Sequence, residues 1–398
     1  MRTPVVLVAG QGPADDVADT LIRSPGTISV GYAIEGHLAI RQITEMRAER
    51  RIISVWPIEV TGCLNCAIRA DLLPLLRRLH RRDDVSRIAV ALPTWADPES
   101  LCTAIERTPL HIGPGYLDGP AGRDVVVSAV VTGIESEGWL AQALGDDDLE
   151  VDLEHSQTVA QVVVAQAEFA DVLVLTAPEA TTLAVLRRLA PRARITVGTD
   201  NVELALANLD PLARRGRPDD PHDPLLAGQP PLRPDGPVRL LEFNARRPFH
   251  PLRLHHAIDD LLDGVVRIRG RAWIASQPDA VVWIESAGGG LGVGHCGTWL
   301  ADMDPAERAY VDPERIALAG SIWDDRFGDR HIAMTALVCG ADPGVITGAL
   351  NRALLTDDEL ARPRDWAHYP DPFGDWHHDP CESLQADVDA NKEASNEG

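Results

Sequence analysis

The segment PVVLVAG at residues 4–10 is an uncharged apolar run that ends in glycine and leads into a helix-forming stretch. A strand with one wet face alternates polar and apolar residues; a continuous apolar run belongs to a strand covered on both faces. Comparable runs recur at 87–92, 125–131, 171–176 and 194–197. Helical patterns lie between them at 68–79, 159–169 and 179–189. Strands alternating with helices dictate a parallel sheet covered by helices, so the first half reads as α/β, a doubly wound parallel sheet.

The pattern then changes. Residues 210–237 carry prolines at 211, 218, 221, 224, 230, 231, 234 and 237 among Arg and Asp, the composition of a linker or long surface loop. After it come strand patterns at 238–243, 265–275, 280–286 and 331–338, with helical patterns at 251–262 and 345–354. Several adjacent strands with few intervening helices indicate a smaller α+β domain. The expected organisation is therefore 1–209, the linker 210–237, a second domain 238–381, and an acidic, apolar-poor tail 382–398 expected to be disordered.

Several function classes are disfavoured. No run of about 18 apolar residues exists to span a membrane. The 4–10 run is too short for a signal-peptide core and reaches Asp15 and Asp16 without a cleavage pattern. Six cysteines without a secretion signal read as reduced thiols, so a cytoplasmic location is expected. A net charge of −23 repels phosphates and argues against bulk DNA binding. The cations are almost all arginine, and the single lysine is Lys392, in the tail.

That lysine count bears on the first strand–helix turn. A phosphate-binding loop there needs G-x-x-x-x-G-K-[ST]: backbone N–H groups cradle phosphates, the lysine pairs with them, and the hydroxyl holds magnesium. The chain has GQGPADDV at 10–17. Aligned on Gly10, Asp15 falls on the second glycine, Asp16 on the lysine and Val17 on the hydroxyl residue. Two carboxylates where a polyphosphate would lie repel it, by on the order of 1 kcal/mol or more per close pair. No GTP binding and no catalytic residue is expected here.

Together these segments resemble the CobW family of P-loop GTPases and zinc metallochaperones over nearly the whole length. The matching stretches in the first domain are 62–72 (GCLNCAIRADL), 95–98 (WADP) and 166–174 (QAEFADVLV). In the second domain they are 246–251 (RRPFHP), 267–273 (RIRGRAW), 327–330 (FGDR) and 371–376 (DPFGDW). The resemblance implies a degenerate P-loop GTPase-like domain followed by a CobW C-terminal domain. The departures share one direction: the family glutamate before A-D-P falls on Ala91, and the N-K-x-D base-reading segment falls on Thr176, Ala177, Pro178 and Glu179.

The family's C-x-C-C metal motif becomes Cys63, Leu64, Asn65, Cys66, so Cys63 and Cys66 are the candidate metal ligands. Two thiols at C-x-x-C spacing before a helix suit zinc, because a helix start favours thiolate. A closed site needs four ligands, so the pair is equally readable as inherited thiols packed at the helix start. A second cluster holds His377, His378, Asp379 and Cys381; His250, His255 and His256 gather near one helix start, with His250 read as packing or capping. Arginines 77, 78, 81 and 82, and 187, 188, 192 and 194, form two basic patches, readable as helix-end charges or as anchors for an RNA or acidic partner.

Within that family the chain is most similar to an actinobacterial branch induced by zinc scarcity, and 75–83 (LLRRLHRRD) is part of that likeness. The resemblance implies a non-catalytic adaptor whose partners are the ribosome and a hibernation-promoting factor. The alternative it implies is a GTP-dependent zinc metallochaperone.

Overall fold

The computed structural model of the protein describes residues 1–35, 38–60, 63–149 and 157–374. The first half contains β1 (Thr3–Gly10), α1 (Ala14–Leu21), β2 (Thr27–Glu35), β3 (Leu38–Arg47), β4 (Arg50–Ile58), α2 (Leu64–His80) and β5 (Arg87–Ala91). It continues through α3 (Pro98–Arg107), β6 (Val125–Ile134), α4 (Trp139–Leu144), α5 (Val159–Glu168), β7 (Val172–Leu175), α6 (Ala180–Leu189), β8 (Arg194–Val197) and α7 (Val202–Ala207). These strands form one sheet in the order β4-β3-β2-β5-β1-β6-β7-β8, parallel from β2 to β8.

The uncharged run at β1 explains itself in this sheet. Val5, Leu7 and Ala9 enter one core with Ile28, Ile88, Leu72 and Leu76 of α2. Val6 and Val8 enter another with Val17 and Leu21 of α1 and with Val202. Because side chains alternate faces, a strand between two helical layers must be apolar at every position. Full burial of each such Val or Leu is worth about 1.5–3 kcal/mol.

The apolar runs at 87–92, 125–131, 171–176 and 194–197 are β5 to β8. The antiparallel meander of β2, β3 and β4 has no counterpart in those runs. Its β3–β4 turn sits at Ala48 (φ 46°) and Glu49 (φ 64°). Two left-handed residues in a two-residue hairpin turn normally announce themselves as Asn-Gly or Gly-Gly. Here no turn residue marks the reversal.

The second half contains β9 (Val238–Ala245), α8 (Pro251–His256), α9 (Ile258–Leu262), β10 (Val265–Ile274), β11 (Gln277–Ala287), β12 (Gly290–Thr298), α10 (Pro305–Arg308), α11 (Pro313–Ser321), β13 (Ile332–Cys339), α12 (Pro343–Ala353) and α13 (Asp357–Leu360). Its sheet is antiparallel, in the order β12-β11-β10-β13-β9. The helical pattern at 251–262 is two short helices broken at Ala257, and β12 is a glycine-rich strand that the sequence pattern does not reveal. One sheet face packs against α12 through Phe243, Ile268, Met334, Ile346 and Leu350. Val238, Val266, Ala287 and Leu337 join a core with Trp139, Val163, Val185 and Leu186 of the first half. The two sheets are thus fused through α4, α5 and α6.

Residues 210–237 contain no helix or strand. They lie against the second sheet, where the carbonyls of Pro221 and Asp223 accept hydrogen bonds from Arg271 and that of Leu225 accepts one from Arg269.

Candidate functional site

The order of the first sheet reverses beside β1, so the carboxyl ends of β1 and β6 mark the crevice where open α/β folds take ligands. The loop filling it is short. Gly10 closes β1 at φ 113°, and α1 begins at Ala14. A Cβ on Gly10 would stand 2.1 Å from the Gly133 carbonyl oxygen, so the loop lies directly on the end of β6. Gln11 donates to the Thr94 carbonyl at 2.7 Å, tying the loop to the segment after β5. Asp15 and Asp16 are exposed in the first turn of α1, where carboxylates favour the helix and disfavour an anion. Val17 is fully buried in the core with Val6, Val8 and Leu21. The position aligned with the magnesium-holding hydroxyl therefore packs the sheet.

The other aligned positions are also occupied by structural work. Ala91 ends β5, paired with Val8 and Gly31. Thr176 Oγ1 donates to Glu135 at 2.7 Å and accepts from the Ser136 amide. Glu179 is the N-cap of α6 and accepts from the amides of Thr181 and Thr182. Those bonds hold its carboxyl below the usual range.

Cys63 is the N-cap of α2, and its Sγ accepts a hydrogen bond from the Cys66 amide at 3.3 Å. The structure thus brings the two cysteines together across the first helical turn, with Cys63 buried and Cys66 half-buried. Among the described residues, no group of three or more His, Cys, Asp or Glu side chains is placed to hold a metal. The pair offers two thiolate ligands and leaves the other positions of a tetrahedral ion to ligands from elsewhere. His377, His378, Asp379 and Cys381 lie outside the described residues. His250 stacks on Tyr369 with ring centroids 4.5 Å apart, and burial pushes its imidazole down. His255 and His256 are exposed.

The two arginine patches are mostly committed elsewhere. Arg77 is buried, bonded to Asp124 at 2.7 Å and to the carbonyls of Leu117 and Gly119. Arg81 stacks on Tyr116, 3.8 Å from its ring centroid, and Arg82 pairs with Glu45 and Asp84. Arg188 is buried and donates to the carbonyls of Ala184 and Arg233. Arg78 and Arg187 remain exposed.

Sequence reasoning missed a charge cluster at the seam. Glu168, at the end of α5, meets Arg269 at 2.6 Å and Arg267 at 2.9 Å, both from β10. Burial alone would push this carboxyl up; the two guanidiniums overcome that and hold it below the usual range. The trio borders a cleft of about 350 Å³, lined also by Trp95, Gln166, Trp283 and Glu285 and by 219–225 of the Pro-rich segment. The available signal was the period-two arginines of RIRGR, which must share one face of a strand.

Residues 238–354 match the family described as the cobalamin synthesis protein cobW C-terminal domain. Over 385 residues, 96% of each chain, the sequence is 57% identical to the zinc chaperone Rv0106 of Mycobacterium tuberculosis (strain ATCC 25618 / H37Rv). It is 24% identical over 354 residues to the zinc-regulated GTPase metalloprotein activator 1 of Dictyostelium discoideum, covering 83% of this chain and 73% of that one. The crystal structure of the Zn(II)-bound YjiA GTPase from E. coli aligns with a TM-score of 0.38 at 13% identity, over 89% of this chain and 100% of the other. Among the described residues, no helix is long and apolar enough to cross a membrane.

Proposed function

The chain belongs to the CobW-type zinc metallochaperone family, and from that premise we propose that it handles zinc as cargo at Cys63 and Cys66 without turning over GTP in the cytoplasm. The observation that carries this reading is the cysteine pair at the start of α2, where the Cys66 amide donates to the Cys63 sulfur and both thiols sit within one helical turn. Two protein thiolates hold the ion while leaving positions open to ligands of a donor or client, which suits transfer better than storage. Three features support work without nucleotide: Asp15 and Asp16 at the start of α1, the burial of Val17, and the use of Glu179 as a helix cap.

Zinc stoichiometry after dialysis tests the site. The wild-type chain retains one ion that the Cys63→Ser, Cys66→Ser double variant loses; equal retention by the variant refutes the assignment. Affinity falls below that of a closed four-ligand site. Calorimetry with GTP and magnesium gives no saturable heat. Micromolar binding with turnover would restore the GTP-dependent metallochaperone reading.

A second reading deepens the first. The outer edge of the first sheet, β4, exposes Ile52, Ile53, Val55 and Trp56 on both faces, an apolar edge of the kind that receives a partner. With the resemblance drawn above, this favours an adaptor that joins a hibernation-promoting factor to the ribosome when zinc is scarce, with Cys63 and Cys66 as the zinc sensor. Sedimentation of ribosomes from zinc-starved cells decides it. The factor loads less without the protein if the adaptor reading holds, and equal loading discards it.

A further inference from the structure

A cleft of about 440 Å³ opens between β13, α11 and the Pro-rich segment. Three arginines line it: Arg246, Arg271 and Arg315. Among the described residues none of them forms an ion pair. Their bonds go to backbone carbonyls, Arg271 to Pro221 and Asp223, Arg315 to Thr298, and Arg246 to Ile322 and Arg330. One carboxylate, Asp329, lines the cleft, and its two oxygens already accept the amides of Leu300 and Ala301 at 2.9 Å. In a chain of net charge −23, three guanidiniums on one cleft with no carboxylate in contact, and with Asp220, Asp223 and Asp329 acting on Arg271 and Arg315 only at longer range, are a concentration of positive charge.

The unmet hydrogen-bonding capacity has the same sign. Arg271 is 8% exposed and Trp299 1% exposed, and both line the cleft. Arg271 Nε and Trp299 Nε1 are buried donors with no partner. Each such donor costs about 1–3 kcal/mol if left unmet. His222 and His331, on the same wall, are pushed down in pKa by burial, so they stay neutral and the arginines carry the positive charge of the cleft. Between the polar groups lie Leu318, Ile322 and Ile332.

We propose that this cleft binds a small organic oxyanion, a carboxylate or phosphate on a compact apolar or aromatic body. The oxyanion is held among Arg246, Arg271 and Arg315, and the body rests on Trp299, Leu318 and Ile322. Guanidinium forks match both oxyanions. The volume suits a ring with one such group. A polyanion such as nucleic acid is repelled by the chain's overall field, whereas a singly headed ligand is shielded inside the cleft.

Isothermal titration of the full chain with phenylacetate, phenyl phosphate and neutral 2-phenylethanol tests the proposal. At least one anion binds at a single saturable site, the alcohol gives no saturable heat, and Arg315→Gln weakens the anion about tenfold or more. Arg315 is only half-buried, so that variant keeps its fold; Arg271→Gln, checked for its melting profile, is the second variant. The anion that binds more tightly identifies the head group. Failure of both anions to saturate overturns the proposal, as does equal binding of the alcohol or binding unchanged in both arginine variants.

Discussion

Arg269 and Arg271 sit two residues apart on β10 and share one face of the strand, yet they belong to different electrostatic regimes. Arg269, with Arg267, grips Glu168 across the seam between the two sheets. Arg271 is more deeply buried and its hydrogen bonds go only to carbonyl oxygens. One half of the strand spends its charge on holding the molecule together; the other leaves its charge without an ion pair beside a cleft. The contrast teaches that burial of an arginine does not say what it is for. The partner does.

The sharpest way to test that contrast is to remove the shared partner. Glu168→Ala leaves Arg267 with Glu285 alone and Arg269 with only the longer 3.8 Å contact to Asp219, and lowers unfolding stability by about 3 kcal/mol, read from urea midpoints. A loss below about 1 kcal/mol would place both arginines in the same class as Arg271.

A pH titration of stability separates the two regions next. Burial pushes His331 down to about 4 in the folded protein, with Arg271 and Arg246 beside it. The unfolded chain takes up the proton near pH 6.5. The contribution of His331 is therefore complete above that value and is lost as pH falls from 6.5 towards 4, by about 3 kcal/mol over the window. Glu168 has the same sign in a lower window, because its folded carboxyl lies below the usual range. Its contribution is lost only as pH drops beneath the normal carboxylate pKa. His331→Asn shrinks the upper window, to which His222 and His250 also contribute, and leaves the lower one. A curve unchanged by that substitution breaks the assignment.

Replacing Arg271 with Met removes two hydrogen bonds to carbonyls but also an unneutralised buried charge, so the net cost is about 1 kcal/mol. A loss as large as that of Glu168→Ala would mean that Arg271 is structural. The smallest effect serves as the control away from both regions. Glu49→Gly relieves a left-handed residue in the β3–β4 turn and raises stability by about 0.5 kcal/mol, measured by thermal melting.

The legible parts of the fold are those whose signal is local. β1 and β5 to β7 are uncharged or nearly so because a strand covered on both faces admits little else, whereas β8, at the sheet edge, leaves Arg194 and Val197 exposed. The meander β2–β4 was hidden because its turn uses Ala48 and Glu49 in place of glycine or asparagine, and because β4 exposes apolar residues at the sheet edge. β12 was hidden by its glycines, which carry no strand preference and sit here at the opposite sheet's edge. Of the candidate site, the Cys63–Cys66 spacing was readable because i and i+3 are neighbours on one helical turn. The arginine patches were not. Whether Arg77 is a surface charge or a buried anchor depends on Asp124, which is 47 residues away in the chain.

The sequence by itself determined the apolar strands, the acidic start of α1 and the cysteine pair, since each depends on residues within a turn or two of one another. Only the tertiary structure decided which charges are satisfied. Parallel strand order carries α5 and Glu168 to β10 and leaves Arg246, Arg271 and Arg315 facing one cleft without a carboxylate in pairing range. A Coulomb interaction falls with distance through space, not along the chain, so no local pattern encodes it.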